Sequence, residues 1–338
     1  MKGMSSSTLV EKAVVRYTRC AAVPTPSSLA VQLGLIEKEF AGEDDLELKV
    51  ISQSADPKVE LPHANRFLIR NAQVKNIWAR AQGADNRVLA LSFLEGSTSI
   101  LVRKDSGIEK LSDLKGRRLG VALTVDEPTL DSIRGGGFKA YETALKKAGL
   151  TLADATLVDI QVKRGWIEEH QTEEERQEQH TTSARPQILA LLKGEVDAIV
   201  GKVPPAVATY LGLRELDSQP SHQIRALIAT GALLREQPEV VVRILTKLLE
   251  AGEWAKAHPE QAYEYVARDH KTTAPALKTR FPNLVEKTLQ IGLEPEKLAQ
   301  LRAQKDLYLR HRLIAADFDF DAWIDSAPLE EARRRFAA

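Results

Sequence analysis

The sequence contains one cysteine among 338 residues. That excludes an intrachain disulfide and any metal site built only from cysteine. Aromatic residues make up 5% of the chain, too few for ring stacking to be its main binding device. Neither sign of charge prevails, since 47 Lys and Arg balance 47 Asp and Glu. Nucleic acid is therefore not expected as the main partner, because phosphate binding rests on a basic excess or a basic face. No apolar run approaches the ~20 residues that a membrane-spanning helix needs. The N-terminal MKGMSSSTLVEKAVVRYTRC also lacks the unbroken apolar core of roughly 7–15 residues found in a secretory signal. Ser5, Ser6, Ser7, Thr8, Glu11 and Lys12 interrupt it. The expected location is cytoplasmic, or periplasmic if a signal peptide has been removed.

Several enzyme motifs are missing as well. There is no GxxxxGK(S/T) phosphate loop, no GxGxxG after a strand, no GxSxG elbow and no HExxH. The histidines are His63, His170, His180, His222, His258, His270 and His311. None pairs with another at metal-ligand spacing on a convincing helix, so no metal is expected.

What the sequence does have is ordinary for a soluble globular protein: 43% hydrophobic and 28% charged residues. At roughly 100–200 residues per domain the length suggests two domains. Strand and helix patterns alternate. Strand candidates are Val14–Arg16, Leu46–Ser52, Arg87–Phe93, Ser99–Arg103, Arg118–Leu123, Ala155–Gln161 and Val196–Gly201. Helical spacing marks Ser27–Phe40, Asn65–Arg80, Ile108–Leu114, Phe138–Ala148 and Ser183–Lys193. Ile167–His180 is acidic and polar throughout, as in an exposed helix or loop. After Gln223 the pattern becomes mostly helical, with an amphipathic stretch at Val240–Ala257 and further candidates at Ala262–Arg268, Ala274–Lys278, Pro295–His311 and Asp321–Ile324. Strands alternating with helices imply βαβ units and a largely parallel sheet. A plausible assembly builds lobe one from residues 1–105 plus 225–338 and inserts lobe two as 106–224, with crossings near 103–107 and 222–228. Two α/β lobes joined by a hinge leave a cleft, and ligands in open α/β sheets sit at the carboxyl ends of strands.

The chemistry-bearing candidate is Cys20, between a short strand and the helix after Pro24 and Pro26. A thiol at a strand end facing a helix N-terminus can have a lowered pKa and act as nucleophile or acid. A free cysteine is also often just a small buried apolar residue. Topology adds Ser92 at a strand end, Thr124 at the end of the first lobe-two strand, Gly135 and Gly136 in a Gly-rich turn that could present amides, and Lys202 at the return crossing. Each could equally be a plain loop residue.

Two stretches, SGIEKLSDLKGRRLGV (106–121) and ILALLKGEVDAIVGKVP (188–204), resemble the type-two periplasmic binding protein fold, in the branch that binds sulfonates, taurine and thiamine-precursor pyrimidines. They mark the fold and say little of the ligand. YTRCAAVPTPSSLAVQLGLIEKEF, LLREQPEVVVRILTKLLEAGEWAKAHPE and DFDFDAWI are similar to the 2'-hydroxybiphenyl-2-sulfinate desulfinases. In that family a Tyr-x-x-Cys followed by a Val-Pro step carries the essential thiol. The resemblance puts Cys20 in that place, with Val23 and Pro24 beside it. It also implies a His and an Arg about ten residues apart, with Gly-Gly just beyond the Arg. Here His63 and Arg70 are seven apart, Arg66 is a rival for Arg70, and Asn71-Ala72 stands in place of Gly-Gly.

The resemblance implies a desulfinase-like hydrolase that removes sulfite from an aromatic sulfinate without metal or organic cofactor. Cys20 would attack sulfur or protonate the ring carbon, and Arg70 would hold the sulfinate oxygens. The alternative is a non-catalytic binding protein for a sulfonate or similar small organic anion, partnered with an ABC permease. A third reading is a cytoplasmic ligand sensor on the same fold.

Overall fold

The computed structural model describes residues 12–19, 23–51, 64–72, 74–127, 129–163 and 185–338. Eight strands form one mixed sheet in the order β2-β1-β3-β8-β4-β7-β5-β6. They are β1 (Ala13–Thr18), β2 (Leu46–Ile51), β3 (Leu68–Ala72), β4 (Asn86–Arg103), β5 (Arg118–Thr124), β6 (Thr156–Val162), β7 (Ala198–Gly201) and β8 (Leu213–Thr230). The helices that position the site are α1 (Pro26–Gln32), α2 (Leu35–Glu39), α3 (Val74–Ala81), α4 (Ser132–Lys147), α5 (185–192) and α6 (Pro205–Tyr210). The C-terminal helices are α7 (Gly231–Glu236), α8 (Pro238–Ala257), α9 (Pro259–Asp269), α10 (Ala274–Arg280), α11 (Pro295–Arg310) and α12 (Ala327–Ala337).

The register locates the cleft. β1 runs parallel to β2 and β3, and β5 runs parallel to β6 and β7. Between these groups, β4 and β8 pair antiparallel from Asn86 opposite Thr230 to Arg103 opposite Leu213. One end of this ribbon joins β3, where Ile69–Ala72 face Ala226–Ala229. The other end joins β7, where Ser99–Leu101 face Ile199–Gly201. Because β3 and β4 are both antiparallel to β8, they are parallel to each other, while β7 opposes β4. The carboxyl ends of β1 and β3 and those of β5 and β7 therefore point, from opposite sides, at the same middle stretch of ribbon, 92–98 opposite 219–225.

Alternate residues of the strands feed different cores, as a pleated sheet covered on both faces requires. Ile100 and Val102 enter one cluster with α4, while Leu101 enters another with α5. On the other half of the sheet, Ile69, Leu94, Leu227 and Ala229 pack with α1, α8, α9 and α12. Val88, Leu91, Phe93 and Ile228 pack with α3, α11 and Trp323. α8 buries Val240, Val241, Ile244, Leu245 and Leu248 at helical spacing. Burying each such side chain is worth roughly 1.5–3 kcal/mol. Its Pro238 sits at N1, where no N–H is needed.

α11 also reaches across to α4. His311 stacks on Phe138 with ring centroids 4.1 Å apart, and its Nε2 lies 2.7 Å from Glu142 Oε1. Arg310 Nη2 donates to the other oxygen of Glu142 at 2.7 Å. Burial raises the Glu142 carboxyl, but the hydrogen bonds from Arg310 and His311 outweigh it and hold the group below its usual range.

Several expectations are corrected. Asn65–Arg80 is not one helix but β3 followed by α3. Leu68 to Asn71 are all buried between β1 and β8, and a short fully buried strand has no period that separates it from a helix. Ser27–Phe40 is two helices, broken at Gly34 with φ 69°. Arg87–Phe93 and Ser99–Arg103 are one strand, β4. The region after Gln223 begins as the second half of β8, not as helix. Gly135-Gly136-Gly137 is not a turn; all three lie inside α4. Ile167–His180 lies outside the described residues. The turn at Lys193-Gly194 is as expected, with Gly194 at φ 70° in the left-handed region that glycine tolerates.

Candidate functional site

The described residues on either side of 20–22, between β1 and α1, are anchored. Before that segment, the fully buried Tyr17 donates its hydroxyl to the Ser27 carbonyl at 3.3 Å, and burial pushes its phenol well above the usual range, so it stays neutral. The Arg19 N–H donates to the Ile51 carbonyl at 3.0 Å. The Arg19 guanidinium meets Asp269, at the end of α9, at 2.5 Å, and Gln32 Nε2 donates to the same carboxylate oxygen at 3.0 Å. After that segment, Thr25 Oγ1 accepts from the Ser28 N–H at 3.1 Å and caps α1. Val23 and the buried Pro24 form the approach to that cap. Cys20 and His63 lie outside the described residues.

β3 brings the next groups to the same edge. Arg70 is 4% exposed and lies two residues from the carboxyl end of the strand. α3 starts at Val74, so its first turn lies at this edge. A buried guanidinium and a helix N-terminus both favour an anion. Arg66 does not share this place. It precedes β3 at the opposite edge, about 20 Å of extended chain from Ala72. Its exposed guanidinium pairs with Glu236 at 2.7 Å, and its carbonyl accepts from Thr230 Oγ1 at 2.7 Å. The structure thus separates Arg66 from Arg70, which it does not bring together at the carboxyl end of β3.

Asn71 follows on the other face, opposite Leu227. Its Nδ2 donates to Ser27 Oγ at 3.2 Å, while its Oδ1 is buried without a hydrogen-bond partner among the described residues. Asn76 of α3 donates to the carbonyls of Ala72 and Ala226, both at 3.0 Å, and so ties β3 to β8; its Oδ1 is also unpartnered. Ser92 is inside β4, not at a strand end, because that strand continues to Arg103. It still lies level with the end of β3, opposite Arg225. Arg225 was missed by sequence reasoning, since nothing marked β8 as a strand. The alternation of the sheet puts Asn71, Ser92 and Arg225 on one face.

On the far side of the ribbon, Thr124 ends β5 as expected. Its N–H and Oγ1 donate to Asp131 at 2.7 and 2.8 Å, and Asp131 also caps α4. Gly135 and Gly136 do not present amides to a cleft. The Gly135 N–H already donates to the Asp131 carbonyl at 3.0 Å. What Gly135 provides is room for Tyr308 of α11, since a Cβ there would stand 2.6 Å from the ring. Gly136 is exposed on α4. Lys202 follows β7 and donates from Nζ to Ser97 Oγ at 2.8 Å, on the middle stretch of ribbon. Among the described residues no group of three His, Cys, Asp or Glu could hold a metal ion. No helix among them is long and apolar enough to cross a membrane.

Parallel strand groups on either side of a two-strand ribbon, with helices on both faces, make this the type-two periplasmic binding protein fold. The chain belongs to the NMT1/THI5-like family, whose model matches residues 37–262. It is similar to the 2'-hydroxybiphenyl-2-sulfinate desulfinase of Rhodococcus erythropolis, with 25% identity covering 91% of this chain and 90% of the relative. A structure of a DszB variant in complex with biphenyl-2-sulfinic acid matches with 21% identity and a TM-score of 0.66, covering 95% of this chain and 99% of that one. The periplasmic aliphatic sulphonate binding protein SsuA of Escherichia coli matches with 20% identity and a TM-score of 0.59, covering 93% and 92%. The expected fold and the resemblance to the desulfinase-like branch are both borne out.

Proposed function

We propose that the chain is a desulfinase-like hydrolase acting on an aromatic sulfinate in a cleft between two lobes, residues 1–105 plus 225–338 and residues 106–224. The observation that carries this reading is the buried Arg70 at the carboxyl end of β3, beside the first turn of α3. The similarity to a desulfinase over nine-tenths of both chains supports it. Arg70 would grip the sulfinate oxygens as a fork. Cys20 would either attack sulfur as thiolate or deliver its proton to the ring carbon as the carbon–sulfur bond breaks. Water then supplies hydroxide to sulfur, which leaves as sulfite; the proton of that water goes to the ring carbon when Cys20 has attacked as thiolate, and back to the Cys20 thiolate when the thiol has already protonated the ring. His63 would assist this proton movement. Val23, Pro24, Ser92, Thr124 and Lys202 would border the ligand. No metal or organic cofactor takes part. The test is sulfite release from a panel of aryl sulfinates by the parent and by Cys20→Ser. Release by the parent alone is the expected result. Release by neither, with binding intact in both, removes the enzyme reading.

The match to SsuA supports a second reading, a non-catalytic binding protein for a small organic sulfonate that delivers to an ABC permease. Asn71-Ala72 in place of Gly-Gly favours it, because a side chain now occupies a position where backbone amides would otherwise approach the ligand.

A further inference from the structure

Resting on the reading of the cleft as a site for an organosulfur anion, we infer that Asn71 is a specificity-determining residue that accepts a hydrogen bond from a hydroxyl or N–H group on the ligand. Three observations on the sheet edge carry this. Asn71 is 6% exposed, and its Oδ1 has no hydrogen-bond partner among the described residues. Its orientation is fixed by the other end of the amide, where Nδ2 donates to Ser27 Oγ at 3.2 Å. It directly follows Arg70 and lies one residue from the carboxyl end of β3, the edge at which ligands sit in open α/β sheets.

A buried carbonyl oxygen without a donor costs free energy that folding alone does not return. A ligand donor returns it. A site built this way also rejects the analogue that lacks the donor, because binding that analogue leaves the oxygen unmatched. Asn76 carries a similar unpartnered oxygen, but its side chain is fully enclosed and bridges two main-chain carbonyls, which makes it a strut between strands. Arg70 and Asn71 point to opposite faces of β3, so they would meet a ligand that wraps the end of the strand, its anionic group on one side and its donor on the other. The ligand class is therefore a sulfinate or sulfonate with a hydroxyl or amine a few bonds from sulfur.

The experiment uses the full chain and two matched ligand pairs, in calorimetry. One pair is 2'-hydroxybiphenyl-2-sulfinate with biphenyl-2-sulfinate. The other is 2-hydroxyethanesulfonate with propanesulfonate. The expected result is that the parent prefers the hydroxylated member of at least one pair by about tenfold, and that Asn71→Ala and Asn71→Leu bring that ratio to about one while circular dichroism shows both variants folded. Asn71→Gln restores part of the preference. A parent ratio of one in both pairs, or a ratio that persists in the folded variants, overturns the role of Asn71 while leaving the anion site standing. If the parent binds none of the four ligands, the reading of the cleft itself falls, and this proposal with it.

Discussion

Arg19 and Asp269, 250 residues apart, meet through a guanidinium–carboxylate contact of 2.5 Å with side chains only 12% and 5% exposed. The pair joins the end of β1 to the end of α9, and Gln32 at the end of α1 adds a third anchor on the same oxygen. Arg19 is bonded to Cys20, so this contact fixes where the chain leaves the strand immediately before the thiol-bearing residue.

A buried ion pair contributes little net stability, but losing one partner strands the other charge. Asp269→Ala is therefore expected to cost about 3–5 kcal/mol in urea denaturation. Asp269→Asn keeps two polar atoms for Arg19 and Gln32 and is expected to cost less. Equal, small losses in both variants would show that the pair is hydrated in solution and anchors nothing.

The two arginines of the β3 segment separate cleanly. Arg70→Ala is expected to weaken binding of an aryl sulfinate by at least about 1.5 kcal/mol, the low end for a hydrogen bond to a charged group. Arg66→Ala removes a solvated pair with Glu236 and a guanidinium placed over the Phe67 ring, and surface pairs are worth roughly 0–1 kcal/mol in stability. It is expected to leave affinity unchanged. Calorimetry on both variants decides this, and the reverse order of effects would exchange their roles.

Much of this was legible in the sequence, and the reasons differ by element. α8 was readable because Val240, Val241, Ile244, Leu245 and Leu248 repeat at helical spacing. β5 and its end at Thr124 were readable because a compact apolar run follows a Lys-Gly turn. β8 was not readable. Its first half, LRELDSQPSH, is polar apart from Leu213 and Leu216, which enter two different clusters, and it contains Pro220, so it shows no apolar alternation. Proline lacks the N–H a strand interior normally uses, so nothing announced the strand, and Arg225 was overlooked with it. The triple glycine misled for another reason. Only Gly135 of the three has a close contact to allow, that with Tyr308, a tertiary demand that leaves the same letters as a turn.

The brace between α4 and α11 has a defined pH window. Arg310 and His311 hold the Glu142 carboxyl below its usual value. A carboxyl depressed in the folded state adds stability that is present above its unfolded pKa, about 4.3, and is lost as pH falls through the lower folded value. Glu142→Gln is expected to lower stability at pH 7 by about 1 kcal/mol, after allowance for partial exposure. The gap between parent and variant should narrow as pH falls through the lowered folded value, where the parent carboxyl takes up its proton. Urea midpoints at pH 7, 5 and 3 measure it. A gap that stays constant across that range would mean that shape at position 142, not charge, holds the two helices together.

The single thiol allows the sharpest test. Cys20 is the only cysteine in the chain, so a thiol reagent reports on that residue alone. A catalytic thiol must be reachable and reactive near neutral pH. Labelling of the native protein is expected within minutes at pH 7, slowed several-fold by a bound aryl sulfinate, and slowed less by the ligand in Arg70→Ala, where the anion is held weakly. A thiol packed in apolar surroundings would react only after unfolding and would ignore the ligand. Cys20→Ser keeps nearly the same shape while replacing the thiol with a far weaker acid and nucleophile. That variant is expected to fold and bind as the parent does. If the parent labels rapidly, the ligand protects it, and sulfite is still not released, then Cys20 lines a binding site without performing chemistry and the SsuA-like reading takes precedence.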